Sequence, residues 1–282
     1  MFVDLAKDYV INNSFWPIDS MIDIFDEYLY IHHYTGPYVS VQWGQDYAEG
    51  ELCVNGRSGC GATAMAQVMT HFEYPTSMSY TYPDPDITSQ TLDWSSIKSH
   101  NTKHYLYNCS TESMDTHKSI SRLCRQLGQI AQSYYVIGGN TWTNTNMVNT
   151  TMQYYGYNTI GWENYNSGNV CNKLDDGEVI IMYGNNNGEN GHFWIVDGYD
   201  DLEYYIYTYM YVHGRDHAEL TDVFGPFTET LNHINWGWYG INNGYFSVNV
   251  FNTSYVQFPD TNNNYANLTF NNALMTLSVS LE

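Results

Sequence analysis

The sequence predicts an α+β fold. Apolar residues recur at helical spacing through the first half, runs rich in β-branched and aromatic residues fill the second, and no internal repeat or low-complexity linker divides them. Helices segregated from antiparallel strands in this way build an α+β domain rather than an alternating α/β one. A length of 282 residues, 43% of them hydrophobic, suits one large domain or two small ones with a real core.

The elements follow in order. Residues 3–32 carry an amphipathic pattern broken by Pro17, which predicts two short helices. Residues 32–45 read as extended chain. A clear helix follows Cys60, because Met65, Val68, Met69 and Phe72 fall at i, i+3, i+4 and i+7; Pro75 ends it. Residues 76–103 read as loop and turn, punctuated by "YPDPD". A second helix runs through 117–135, with Ile120, Leu123, Cys124, Leu127 and Ile130 on its inner face. A turn at Gly138 and Gly139 precedes a third helix in 146–157. Strands are predicted at 178–184, 192–200, 204–214, 232–238, 244–251 and 273–281.

Composition narrows the function. Thirty acids against nine bases give a formal charge of −21, which repels phosphate backbones and makes nucleic acid an unsuitable partner. No run of 18 apolar residues offers a membrane span, and the N-terminus lacks the basic start and apolar centre of a signal peptide. The five cysteines form no CxxC pair and no zinc-like spacing with histidine. Their odd number leaves at least one free thiol.

Cys60 has the most informative setting. It lies between Gly59 and Gly61 where a helix begins, in "GRSGCGATAMAQVMTHFEYP". A helix start presents unpaired N–H groups and the positive end of the dipole. A thiol there is expected to lose its proton more readily than the usual value of about 8.5, and the same N–H groups can hold an oxyanion. The flanking glycines leave room for a substrate backbone. A nucleophilic cysteine needs a base, and His192 opens a strongly apolar strand behind Gly191. His71 is on the same helix as Cys60 but about 16 Å along its axis, out of reach; His213 and His233 are competitors. Asn235 in "HINWGWYGINNGYF" could orient an imidazole through its amide, with Trp236 shielding that bond. Gln45 in "VQWGQ" offers an amide N–H suited to an oxyanion hole. Each piece taken alone also reads as ordinary packing or turn structure.

Together they carry a resemblance. The order Gln, Cys, His, Asn-Trp is that of papain-like cysteine peptidases, and Cys60 and His192 are 132 residues apart, within the papain range. The segments "SGCGATAMAQVMTHFEYP", "GHFWIVDGYD" and "HINWGWYGINNGYF" resemble the nucleophile helix, histidine strand and Asn-Trp-Gly-Trp segment of the streptopain family, peptidase family C10. "LDWSSI", "SRLCRQLGQIAQSYY" and "YYGYN" agree as well.

The resemblance implies a papain-like fold, with a nucleophile helix packed on an antiparallel sheet or barrel. It implies a cysteine endopeptidase in which Cys60 attacks, His192 is the base, and Gln45 with the Cys60 N–H forms the oxyanion hole. Asn235 and Trp236 would stand behind His192. Gly138, Gly139, Gly191 and Trp238 would line the substrate cleft. No metal or organic cofactor is implied. Partners would be protein or peptide substrates, a pro-domain or a proteinaceous inhibitor, and the location secreted or cell-surface. The resemblance covers residues 41–282, with an insertion at about 201–231 that reads as a hairpin flap or surface decoration. Residues 1–40 would be an N-terminal extension or the remnant of a pro-segment. Gly61 departs from the family's usual Val, and Trp142 is added to the wall loop. Cys53, Cys109, Cys124 and Cys171 read as structural. Another Cys–His acyl-transfer enzyme and a catalytically retired binding protein stay open as alternatives.

Overall fold

The computed structural model describes residues 9–12, 22–46, 50–80, 88–100, 111–136, 141–186, 189–253, 258–259 and 268–281. The turn at Gly138 and Gly139, the "YPDPD" turn, Pro17 and Cys109 lie outside these residues. The chain divides into two units, one of Met1–Tyr34 with Asp200–Leu231, the other of Thr35–Tyr199 with Asn232–Glu282. Secondary structure is α+β, as the sequence predicts.

In the larger unit the strands are β4 (Ser77–Ser79), β5 (Ser89–Thr91), β6 (Tyr134–Tyr135), β7 (Thr141–Trp142), β8 (Glu163–Asn164), β9 (Val179–Asn186), the first part of β10 (Glu189–Val212), the end of β11 (Glu219–Asn235), β12 (Gly244–Ser247), β13 (Phe258–Pro259) and β14 (Asn272–Val279). The main sheet runs β13-β12-β11-β10-β9-β14-β8. Strand β9 pairs antiparallel with β10, where Phe193 faces Tyr183, and with β14, where Leu277 faces Ile181.

This sheet is buried on both faces, which is why β9 and β10 read as continuous apolar runs rather than alternating ones. Successive side chains point to opposite sides. Val179, Ile181, Phe193, Ile195, Leu277 and Val279 join the cluster built by helices α1 (Cys60–Phe72), α3 (Thr111–Ile130) and α4 (Thr145–Tyr154). Ile180, Met182, Trp194 and Val196 enter a second, aromatic-rich cluster with Trp236, Phe246, Phe251, Phe270 and helix α5 (Ser167–Asp175). Helix α1 is the centre of the first cluster: residues 61–70 are all buried, and the small Gly61, Ala62, Ala64 and Ala66 let neighbours approach closely.

Three expectations are corrected. The loop predicted over 76–103 contains the β4–β5 hairpin and the short helix α2 (Trp94–Ser99), which starts where the Asp93 side chain accepts the Ser96 N–H. Helix α5 was not expected; its sequence is polar, and it is set by an Asn166 cap and by burial of Val170 and Leu174. The two helices predicted over 3–32 are instead strands, β1 (Tyr9–Asn12) and β2 (Ile22–Ile31), followed by β3 (Tyr34–Thr35). Strand β2 is rich in Ile, Tyr and Phe, and its partner lies far away in sequence: Ile22–Ile31 pair antiparallel with 203–212, Tyr30 opposite Tyr204 and Phe25 opposite Tyr209. A local pattern cannot register a partner some 180 residues distant, so tertiary pairing overrides it.

In the smaller unit β2 thus joins β1, the outer part of β10 and most of β11. This unit holds a buried imidazole–carboxylate contact. His32 Nδ1 meets Asp200 Oδ2 at 2.5 Å, and the His33 N–H donates to the other carboxylate oxygen at 2.7 Å. Asp200→Ala leaves the His32 ring and the His33 N–H without that acceptor and is expected to destabilise the protein by roughly 1–3 kcal/mol, whereas Ile24→Ala, at a residue 62% exposed, should change stability by less than about 0.5 kcal/mol. Urea unfolding of the two variants checks both.

Candidate active site

Helix α1 begins without a side-chain cap. Gly59 occupies the cap position with φ +85°, and a Cβ there would come within 2.6 Å of the Thr141 side chain. No side-chain cap therefore takes up the first-turn N–H groups beside Cys60. Three backbone N–H groups, those of Cys60, Gly61 and Phe193, point at its sulfur.

The Gln45 segment is tied to this helix start. The Gln45 carbonyl accepts the Ser58 N–H at 2.8 Å. The Thr63 hydroxyl lies 3.2 Å from the Gly44 carbonyl and 2.8 Å from the Ser58 hydroxyl. Tyr239 closes the other side: its hydroxyl donates to the Asp46 carbonyl at 2.5 Å, and its ring fills the space a Cβ on Gly44 would need. The Gln45 side-chain amide forms no hydrogen bond among the described residues, so its N–H donors remain available to the cleft it lines.

His192 stands at the start of the apolar stretch of β10, opposite Gly184. Its side chain points to the aromatic-rich face, with ring centroids 4.8 Å from Trp238 and 5.3 Å from Phe270. Trp194 and Trp236 complete the enclosure. The ring Nε2 lies 2.8 Å from the Trp236 carbonyl. A carbonyl can only accept, so Nε2 carries the proton and Nδ1 is left with its lone pair.

Electrostatics here is governed by desolvation. Burial pushes the Cys60 thiol up, against the pull of the three N–H groups. This corrects the expectation of a thiol that ionises easily through its helix position alone: burial outweighs the open helix end. Burial also lowers His192 to about 4, partly offset by the Trp236 carbonyl.

The cleft has a volume of about 330 Å³. It brings together Gln45, Cys60, Gly191, His192 and Trp238 of the expected set, and adds Arg57, Thr141, Trp142, Thr143, Tyr183, Asn186, Phe193 and residues Leu268–Phe270. Gly138 and Gly139 lie outside the described residues. Trp236 backs His192 with both carbonyl and ring. Asn235 is placed differently from expectation. Its Nδ2 donates to the Val41 carbonyl at 2.9 Å and to Gln67 Oε1 at 3.1 Å, and its Oδ1 accepts the Gly237 N–H. The amide is spent on the backbone, and the Trp236 carbonyl holds the imidazole instead. Among the described residues no cluster of His, Cys, Asp and Glu is arranged to hold a metal ion.

The model of the peptidase C10 family matches residues 37–246. The chain belongs to the peptidase C10 family. That membership makes it a cysteine protease. Among solved structures, the C10 chain is similar to active wild-type interpain A cysteine protease of Prevotella intermedia, with a TM-score of 0.56 and 20% identity over 87% of this chain and 94% of that one. A mutant prointerpain A fragment from the same organism gives 0.53 and 19% over 86% and 71%. At such identities the likeness establishes the fold. Comparison with curated proteins gave no match.

Sequence reasoning missed Gln67. Its Oε1 accepts the Trp43 N–H at 3.0 Å as well as Asn235 Nδ2. The signal was present: a single Gln, two helical turns after Cys60, inside a helix buried over ten consecutive residues. Gln67→Leu removes the acceptor from two buried donors and is expected to cost about 1–3 kcal/mol, together with a fall in kcat; urea midpoints and peptide hydrolysis read the two effects.

His192 also sets a pH dependence of stability. Its proton affinity is lower in the folded chain than in the unfolded one, so the unfolded state binds more protons between about 4 and 6.5. The stabilisation is fully present above pH 6.5 and is lost as pH falls through about 4. Its size is about 3 kcal/mol, and His192→Gln should flatten the pH profile of the unfolding midpoint by that amount.

Proposed function

We propose that this cysteine protease is an endopeptidase of papain-like arrangement that works through Cys60 and His192. The observation that carries this reading is the shared cleft: Cys60 at an uncapped helix start, His192 with a free Nδ1, and Gln45 with an unengaged amide all line one cavity.

In this reading the Cys60 proton passes to His192 Nδ1 as the sulfur forms a bond to the substrate carbonyl carbon. Each charge alone is disfavoured by burial, so a transfer within the pair is the favourable route. The aromatic faces of Trp238 and Phe270 stabilise the imidazolium so formed. The Gln45 amide and the Cys60 N–H receive the oxyanion. The imidazolium then gives its proton to the leaving amine, and the C–N bond breaks to leave a thioester. Neutral His192 takes a proton from water, hydroxide adds to the thioester, and the acid and the Cys60 thiol are released. Asn235 and Gln67 hold the loop whose Trp236 carbonyl fixes the tautomer.

Residues 41–282 would form the catalytic part. The pairing of 22–31 with 203–212 favours an extension that stays with the chain over the remnant of a pro-segment. An extracellular or cell-surface location, a bacterial source and a zymogen stage with a pro-domain partner belong to the same reading; the last is supported by the existence of a prointerpain A form.

Hydrolysis of a casein-type substrate tests the proposal. Cys60→Ala should abolish it, and Gln45→Ala should lower kcat by roughly 10²-fold. Undiminished hydrolysis in Cys60→Ala would sink the assignment, and product transfer to amines in place of water would make the enzyme an acyltransferase.

The site with both Cys60 and His192 protonated loses its first proton near 4. The acid limb of kcat/KM is therefore expected close to that value rather than at the ordinary imidazole value of about 6.5. A stopped assay from pH 3.5 to 8 locates it.

A further inference from the structure

We infer that Arg57 makes the cleft selective for a substrate carboxylate close to the bond that is cut. This rests on the reading of the cleft as a peptidase active site. Arg57 lines the cleft with Cys60 and precedes it by three residues. No Asp or Glu is among the lining residues, and His192 is neutral above about 4. Arg57 is thus the charged side chain of the described cleft wall at neutral pH.

Among the described residues its side chain makes no ion pair. Acids outnumber bases thirty to nine, and three other described cations meet carboxylates: Lys98 meets Glu73, Lys173 meets Glu178, and Arg215 meets Glu219. Arg57 is exposed and makes no ion pair or side-chain hydrogen bond among the described residues. Yet its backbone is held on both sides. The Gly56 N–H donates to the Cys53 carbonyl at 3.1 Å, and the Ser58 N–H to the Gln45 carbonyl at 2.8 Å. Nearby, the Asn55 side chain donates to the Val136 carbonyl. A fixed Cα with a free guanidinium is a presented donor fork, shaped for two parallel bonds to a carboxylate.

Distance limits where that carboxylate lies. Three residues of chain span at most about 10 Å, and an extended substrate advances about 3.3 Å per residue. The reach therefore covers about three residues on either side of the scissile bond. Two sources supply the chemistry: an Asp or Glu side chain in an internal position, or the free carboxylate of a chain end.

Matched fluorogenic peptides separate them. One set carries Glu or Gln at each of the three positions on either side of the cleaved bond; a second ends in a free acid or an amide one, two or three residues beyond it. The expected result is a kcat/KM ratio of about five- to tenfold in favour of the acid in one position. That ratio should collapse in Arg57→Gln, persist in part in Arg57→Lys, and shrink in about 0.5 M salt. Preference for Glu assigns an internal acidic subsite, and preference for the free acid assigns trimming of chain ends. Equal rates throughout, or a ratio that survives Arg57→Gln, overturn the inference.

A second readout needs no hydrolysis. Alkylation of Cys60 by anionic iodoacetate and by neutral iodoacetamide, followed by peptide mapping at about pH 8, gives a rate ratio that should fall severalfold in Arg57→Gln. An unchanged ratio removes the role of Arg57. A lowered ratio in a protein that cleaves no peptide removes the peptidase reading and leaves Arg57 as an anion-selecting group beside a reactive thiol.

Discussion

One side-chain carbonyl ties the active-site segments together. Gln67 Oε1, buried inside helix α1, accepts the Trp43 N–H and the Asn235 Nδ2. The first partner belongs to the segment that ends in Gln45; the second begins the turn whose next residue supplies the carbonyl for His192. The helix itself starts with Cys60. A misplacement of any one of these segments by about an ångström would leave a buried donor without an acceptor, so register is enforced by the cost of an orphaned hydrogen bond. Ser58, Thr63 and Tyr239 repeat the device nearer the cleft, each tying the Gln45 segment to a neighbour.

Around that frame, burial sets the chemistry. The same aromatic packing that completes the second core cluster encloses His192 and drives it toward the neutral form. The helix packing that completes the first cluster surrounds Cys60 and holds the proton on its sulfur. His192 reaches the cleft from the aromatic-rich face of the sheet, while the next residue of β10, Phe193, joins the cluster against which Cys60 packs. Core formation and the protonation balance of Cys60 and His192 are consequences of one arrangement.

The sequence made much of this legible. Periodicity located helix α1 through Met65, Val68, Met69 and Phe72, and the apolar runs located β9 and the first half of β10. Motif wording placed Gln45, Cys60 and His192 in one functional set, and the structure gathers them in one cleft. What escaped depended on distant partners. Strand β2 is defined by pairing with 203–212, and helix α5 by capping and burial of a polar segment. The sequence reads Asn235 as a group that could orient an imidazole, with Trp236 as the shield; its amide bonds Val41 and Gln67, 194 and 168 residues away. The ionisation of Cys60 was judged from helix position, and burial, which only the packed structure supplies, reversed its direction.

The bare start of helix α1 has a wider consequence. Most helices gain stability from a Ser, Thr, Asp or Asn cap, and α4 and α5 in this chain have one in Asn144 and Asn166. At Gly59 the backbone angle and the Thr141 methyl group refuse any side chain. The protein therefore cannot drift toward a firmer helix at this point by a single substitution, and no side-chain cap competes for its first N–H groups. Selection for heat resistance would have to act elsewhere, because at this helix start the usual route to a firmer cap is closed.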